Sequence, residues 1–343
     1  MRQIGVIGTG AWGTTLAIML AQKGFETTLW EHQAERAAQM DRERENRTFL
    51  PDFRFPFSLR VTATLSEAVH GRELVLVVTP SQRIRENVRA LAPHLTSNAI
   101  ILCGSKGLEI SSLKRMSEVI AEELPPPLRE RIAVLSGPNI AQEVARGLPS
   151  AAVVAARNPA TAEAAREVLN TATFRVYRSN DIIGVELGGA LKNIIALGAG
   201  ANDGWGYGEN AKAAFMTRGL AEIARLGIAC GANPLTFAGL AGVGDLIATC
   251  ASPLSRNRYV GLELAKGRPL EEILGGMKSV AEGITTTKAA REMAERFNVD
   301  LPITKTIHAI LFEGKNARQG VIELMLREPK DELEGMRGLM EEP

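Results

Sequence analysis

Cysteine is scarce: Cys103, Cys230 and Cys250 are the only three in 343 residues. Their odd number and wide spacing exclude a disulfide framework, fit no metal-ligand pattern and suit a reducing compartment. Histidine is equally sparse. His32, His70, His94 and His308 are scattered, with no HExxH or Ser-His-Asp arrangement, so metal-dependent hydrolysis, triad chemistry and a histidine-based dehydrogenase are disfavoured. The formal net charge is only +1, which excludes a global basic field for nucleic acid. No apolar run is read as long enough to span a membrane. The N-terminus begins a strand almost at once instead of a secretory apolar segment. Internal repeats and low-complexity tracts are absent. These absences leave a soluble, cytoplasmic globular protein as the expectation.

What is present supports that class. Hydrophobic residues make up 45% and charged residues 23%, an ordinary globular balance at a length that suggests two domains. The first half alternates short apolar runs with helical stretches. IGVIG (4–8), ETTLW (26–30), LVLVV (74–78), AIILC (99–103), IAVLS (132–136), AAVVA (151–155) and FRVY (174–177) read as strands of a parallel sheet covered on both faces. PPP at 125–127 marks a loop. After Asn180 the strand pattern stops. Residues 181–200, 209–229, 257–266, 270–275, 283–297 and 302–313 read as helices, separated by turns such as CGANP (230–234). The expected fold is α/β: a doubly wound Rossmann-type dinucleotide-binding domain over 1–180, then an all-α substrate and catalytic domain over 181–343. The charged tail beyond about 328 is expected to be frayed or exposed.

The first strand runs into GTGAWG, which places Gly8, Gly10 and Gly13 in the G-x-G-x-x-G pattern. Glycines there permit a tight turn and close approach of backbone to a pyrophosphate, at the N-terminus of the helix that follows. Alone the pattern is weak; between a strand and a helix it is a dinucleotide-site fingerprint. Glu31 ends the second strand, where a carboxylate can accept hydrogen bonds from an adenosine ribose and favours NAD. His32 could instead meet the extra phosphate of NADP, or be a solvated loop residue; Gln33, not arginine, follows it.

Ligands of open α/β sheets bind at the carboxyl ends of the strands. The exits here are TPSQ, GSKGLE and GPNIAQE, small and rich in glycine and proline. Lys106 lies in one of them, a candidate for binding an anion or polarising a carbonyl. The helical half carries VELGGALKNIIALGAG (185–200). The helical neighbours of Lys192 are Gly188, Gly189, Ile195 and Ala196, none able to pair with an ammonium ion. One reading is a lysine that snorkels to water. The other is a lysine held in a cleft, where Gly188 and Gly189 clear space and partial desolvation favours a general base. GVGDL places Asp245 before a helix, as an N-cap or a ligand-facing carboxylate. PLSRNR places Ser255, Arg256, Asn257 and Arg258 at a helix start, a phosphate site or a solvated basic turn.

These stretches, with LSGPNIAQEVARGLP, FRVYRSNDIIGVELGGALKNIIALGAGANDGWGYGENAKAAFMTRGLAEIARLG, GLAGVGDLIATC and PITKTIHAIL in the same order, resemble the bacterial NAD(P)-dependent sn-glycerol-3-phosphate dehydrogenases over nearly the whole chain. The resemblance implies reversible reduction of dihydroxyacetone phosphate to sn-glycerol 3-phosphate, a precursor of phospholipids, with NAD or NADP. It implies that Lys192 is the proton acceptor in the oxidative direction and that Lys106 touches both cofactor and substrate. Gly137 and Asn139 would line the substrate. Asp245, Ser255, Arg256 and Asn257 would hold the glycerol phosphate, with Arg256 also near the cofactor. Ala11, Trp12, His32, Phe49, Ala141, Val280 and Glu282 fall at nicotinamide-nucleotide contacts. The substrate is expected between the domains, and Lys192 to stand alone in sequence because its partner is the substrate. A homodimer is implied as well. The chain departs from the family in having Asn139 where serine or threonine is usual, Ala11 where serine is frequent, and Gln33 where arginine is frequent. Two other classes compete: a 6-phosphogluconate or 3-hydroxyacid dehydrogenase, and a non-catalytic nucleotide sensor.

Overall fold

The computed structural model describes residues 3–277, 280–329 and 331–332. It divides into two compact units. The first comprises residues 1–106 and 114–182, the second residues 107–113 and 183–343. The division therefore differs from a single break at residue 180 by giving residues 107–113 to the second unit. The charged tail expected beyond about residue 328 falls almost entirely outside the described residues.

The first unit is built on an eight-stranded sheet. In chain order the strands are β1 (Gln3–Ile7), β2 (Glu26–Trp30), a hairpin of β3 (Glu45–Asn46) and β4 (Leu50–Arg54), β5 (Leu59–Thr62), β6 (Leu74–Val77), β7 (Ile100–Cys103), β8 (Ile132–Ser136), β9 (Ser150–Ala156) and β10 (Phe174–Ser179). The spatial order is β10-β9-β8-β7-β6-β1-β2-β5, and β3 pairs with β4 apart from it. Strands β6, β7 and β8 are buried throughout, as their continuous apolar runs require for a sheet covered on both faces. The helix Ala11–Gln22, which follows β1, buries nine residues from Gly13 to Ala21.

Two features of the sheet differ from the sequence reading. The sheet is not wholly parallel: β8 and β9 pair antiparallel, Ala133 opposite Ala156 and Ser136 opposite Val153. The chain returns through the short helix Ala141–Ala145 without the full crossover that a parallel pair needs. The other difference is three unforeseen strands. In β5 the alternation is brief and Arg60 is exposed. In β4, Pro51 and Asp52 read as turn residues, and Asp52 has φ 72°; such residues are tolerated at a sheet edge.

The second unit is helical among its described residues. Its central helix runs Ile182–Trp205 and is followed by Glu209–Ala229, Asp245–Ala251, Arg256–Ala265, Leu270–Gly275, Glu282–Arg296, Pro302–Phe312 and Ala317–Met325. The expectation that no segment has the length and apolarity of a membrane span is overturned by Ile182–Trp205. It passes that test, yet its apolar stretch is 83% buried inside the protein. It is the core helix of this unit, packed through Leu187, Leu191, Ile194 and Leu197.

Glu222 fixes how Pro302–Phe312 begins. Its carboxylate, 2% exposed, accepts from the backbone N–H groups of Ile303 (2.5 Å) and Thr304 (3.0 Å) and from the Thr304 hydroxyl (3.0 Å). A helix start leaves such N–H groups without intrahelical partners, and a carboxylate satisfies them. Burial pushes the Glu222 carboxyl up to about 7, against the N–H bonds that lower it. A carboxyl raised in the folded state contributes stability that is present below its unfolded value and lost as pH rises through the folded one. Glu222→Gln should therefore gain stability relative to the wild type as pH rises from 4.5 to above 7. Urea titrations across that window test this; a difference that does not change with pH would contradict it.

Candidate active site

The nucleotide loop leaves β1 where the sheet order turns, with β6 on one side and β2 on the other. That is the crevice where open α/β sheets bind ligands. Gly8 has φ +118°, and a Cβ there would lie 2.6 Å from the Val78 carbonyl oxygen. A Cβ on Gly13 would lie 2.1 Å from the Gly8 carbonyl oxygen, which keeps the helix tight against the loop. Gly10 is different: a Cβ there meets nothing within 4 Å. Its backbone borders open space at the start of Ala11–Gln22, the place a pyrophosphate needs. The residues fit a dinucleotide.

The loop is braced from below. The buried Asn46 amide donates to the Thr9 carbonyl (2.7 Å) and to the Thr14 hydroxyl (2.9 Å). The Thr9 hydroxyl donates to Glu31. Arg36 donates to Thr9 (2.8 Å) and pairs with Glu31. The Gln33 N–H (3.0 Å) and His32 Nδ1 (2.9 Å) meet the other oxygen of Glu31. Glu31 is thus buried and already hydrogen-bonded within the protein. His32 is exposed. Phe49 lies under the Arg36 guanidinium, 5.0 Å from ring centroid to Cζ. Ala11 opens the helix, and Trp12 packs at a tilt on Phe174, centroids 6.2 Å apart. Sequence reasoning missed Arg36 because it looked for an arginine beside His32. Arg36 stands five residues beyond Glu31, inside the next helix, Ala34–Glu43.

At the strand exits of the same unit, the Lys106 ammonium donates to the Gly137 carbonyl at 3.0 Å. Asn139 follows; its Nδ2 donates to the Ala151 carbonyl (3.2 Å), and its Oδ1 is buried without a hydrogen bond. Lys106, Gly137 and Asn139 are thereby brought together. Ala141 begins the helix that follows, and its carbonyl accepts from Thr15 (3.1 Å).

In the second unit the expectation about Lys192 needs correction. The lysine does not stand alone: it is 6% exposed and donates to Asp245 Oδ1 and to the Thr249 hydroxyl, both at 2.5 Å. Gly188 makes this possible. A Cβ there would lie 2.5 Å from the Ala241 carbonyl oxygen, so the π-helical turn Leu240–Gly244 rides directly on the lysine helix and delivers Asp245. Asp245 is the first residue of its helix and not the N-cap, which is Gly244. Thr249, one turn on, was missed; the signal was its i+4 spacing from Asp245. Burial pushes the neighbouring Cys250 thiol up to about 12, with the Lys192 charge acting in the opposite sense. A thiol so raised is no nucleophile at neutral pH.

The SRNR segment forms the start of Arg256–Ala265. Ser255 is its N-cap and accepts from the Arg258 N–H (3.3 Å). Asn257 is buried and joins three helices: its Nδ2 donates to Asn193 Oδ1 and its Oδ1 accepts from the Gly283 N–H, each at 2.9 Å. Arg256 is exposed and makes no hydrogen bond or ion pair with the described residues. Protein atoms crowding around it lower its pKa, while Glu282 acts to raise it. A guanidinium at a helix start suits a phosphate. Arg258 is instead committed to Asp203 (2.7 Å). Val280 is exposed, and Glu282 opens Glu282–Arg296.

Fold, glycine loop and lysine helix together define a Rossmann-type dinucleotide-dependent dehydrogenase class. Comparison with known proteins narrows the class. The families described as NAD-dependent glycerol-3-phosphate dehydrogenase N-terminus and C-terminus match residues 3–162 and 181–322. The chain belongs to the NAD-dependent glycerol-3-phosphate dehydrogenase family. A glycerol-3-phosphate dehydrogenase [NAD(P)+] of Dehalococcoides mccartyi is 49% identical over 338 residues, 98% of this chain and 94% of that protein. One from Citrifermentans bemidjiense is 49% identical over 330 residues, 96% and 98% of the two chains. The crystal structure of the Coxiella burnetii glycerol-3-phosphate dehydrogenase superposes with a TM-score of 0.91 at 37% identity, covering 95% of this chain and 99% of that one. A ketopantoate reductase from Ralstonia eutropha shares the fold at 15% identity and a TM-score of 0.59.

Removing one partner of a buried ion pair leaves a charge without compensation, at a cost of about 3–5 kcal/mol. Asp245→Ala should lose about that much unfolding free energy, and Lys192→Met combined with Asp245→Leu should recover most of it. Urea denaturation of the wild type and these two variants checks this. A single-variant loss below about 1 kcal/mol would show a pair open to water.

Proposed function

We propose that this protein reduces dihydroxyacetone phosphate reversibly to sn-glycerol 3-phosphate with a reduced nicotinamide dinucleotide. The buried Lys192–Asp245–Thr249 cluster carries the reading: it is an ammonium held in one orientation, as proton transfer to a defined oxygen requires. When bound, the nicotinamide supplies the hydride in reduction and takes it up in oxidation. Lys192 donates its proton to the oxygen that becomes the alcohol, and takes it back in the oxidative direction. Asp245 and Thr249 keep the amine aimed, and Asp245 stabilises its charged form. Lys106 is assigned to both coenzyme and substrate, as a second positive charge. Arg256, with Ser255 and Asn257 at the same helix start, takes the substrate phosphate. Asn257 is itself tied to Asn193, the residue beside Lys192, which couples phosphate position to lysine position. Gly137 and Asn139 line the substrate. Gly8, Gly10, Ala11, Trp12, Gly13, His32, Phe49, Ala141, Val280 and Glu282 are assigned to the nucleotide. We further assign the protein to the cytoplasm as a homodimer without a membrane span, supplying glycerol phosphate for phospholipids; the family resemblance supports this.

The first measurement is loss of reduced-nicotinamide absorbance with NADH and with NADPH, in the presence and absence of dihydroxyacetone phosphate. Turnover that requires this substrate is expected. None with either coenzyme, from protein shown to bind them, would overturn the reaction. Lys192→Ala should lower kcat by roughly two to four orders of magnitude while coenzyme Kd is unchanged. Near-normal kcat in that variant would remove Lys192 from the mechanism.

A further inference from the structure

We propose that Arg36, flanked by His32, receives the 2′-phosphate of NADPH, and that Glu31 is a positioning residue for Arg36 and not a ligand of the adenosine ribose. The inference rests on the nucleotide reading of the glycine loop. A carboxylate at the end of the second strand selects NAD by accepting hydrogen bonds from ribose hydroxyls, and it repels a phosphate there. Glu31 stands at that strand end but is configured differently. Its two oxygens already accept from Thr9, Arg36 and the Gln33 N–H, with His32 Nδ1 at 2.9 Å. Its side chain has no exposed surface. A ribose hydroxyl would have to displace these donors to reach it.

The same contacts leave hydrogen-bonding groups of Arg36 and His32 at the surface of the exit. Arg36 places only Nη2 on Glu31 and Thr9. Its Nε is buried without a partner, and its Nη1 makes no hydrogen bond or ion pair among the described residues. Phe49 supports the plane of the guanidinium from one face. Guanidinium presents several N–H donors in a fixed fork, so one edge can hold a carboxylate while another meets a phosphate. His32 engages Glu31 through Nδ1, and its ring is otherwise exposed. Beside them lies an open cleft of about 550 Å³ lined by Gln33, Ala34, Glu35, Arg36 and Gln39. Glu35 is the one carboxylate on that lining. Glu31 neutralises part of the Arg36 charge and fixes its direction, so the remaining donors are oriented before any ligand arrives.

The test is binding, measured without the phosphorylated substrate on the full-length protein. NADPH, NADH and the fragments 2′,5′-ADP and 5′-AMP are titrated by calorimetry. Wild-type protein should bind NADPH at least as tightly as NADH, and 2′,5′-ADP more tightly than 5′-AMP. Arg36→Gln, which can still donate to Glu31, should weaken NADPH by about tenfold or more and leave NADH within about threefold. Arg36→Lys, which keeps a cation on Glu31, should lie between the two. His32→Ala, which removes one of the groups around Glu31, should weaken NADPH by a few-fold more than NADH. Equal loss of both coenzymes in Arg36→Gln would make Arg36 merely structural and overturn the assignment. So would wild-type protein that binds NADH about tenfold more tightly than NADPH. Intact NADPH binding without turnover of dihydroxyacetone phosphate would refute the proposed reaction and leave this inference standing.

Discussion

The candidate site depends on one constraint: a charged amine must be kept inside an apolar helix core. The helix Ile182–Trp205 is apolar enough to resemble a membrane segment, and Lys192 sits within it almost without solvent. A lone ammonium ion there would be prohibitively expensive. Asp245 and Thr249 offset that cost, but only because the turn that precedes them lies directly on the lysine helix. Gly188 permits that approach, since any Cβ would collide with the Ala241 carbonyl. The chain of cause is short: a missing side chain admits a backbone, the backbone delivers a carboxylate, and the carboxylate orients the amine.

The nucleotide unit solves the opposite problem. There the backbone must be left open to a ligand and still hold its shape. Gly10 borders open space while Gly8 and Gly13 are locked by close carbonyls. The loop borrows rigidity from side chains at a distance in sequence: Asn46 holds the Thr9 carbonyl, and Glu31 with Arg36 holds the Thr9 hydroxyl. One polar network thus shapes the pyrophosphate turn and the far end of the nucleotide site together. In a low-dielectric setting such linked hydrogen bonds reinforce one another.

Much of this was legible in sequence, for identifiable reasons. Continuous apolar runs mark buried strands, and seven of them stood out. The edge strand β5 and the hairpin β3–β4 did not, because Arg60, Pro51 and Asp52 carry turn or surface chemistry and pairing is imposed by the neighbouring fold. The antiparallel entry of β9 was hidden because an apolar run has no direction. Lys106 and Lys192 were found from strand exits and from the company they keep. Their partners were not, since Asp245 and Thr249 lie more than fifty residues away from Lys192 and no local rule joins them. Glu31 was found at the strand end without its partner Arg36, because that arginine reaches it from the next helix.

The amide link from Asn193 through Asn257 to the Gly283 N–H also limits how the protein can change. A Cβ on Gly283 would lie 2.5 Å from the Asn193 carbonyl oxygen, so three helices meet there at backbone spacing. Apolar side chains elsewhere in this unit can exchange volume with their neighbours at modest cost. At Gly188 and Gly283 no such exchange is open, because the contact is with a carbonyl that belongs to another helix or turn. For redesign, the second unit is therefore permissive in its packing and rigid at its backbone crossings, which include Gly200 on the Arg258 carbonyl and Gly261 on the Leu197 carbonyl. A library aimed at new substrates should vary the lining and hold those glycines constant.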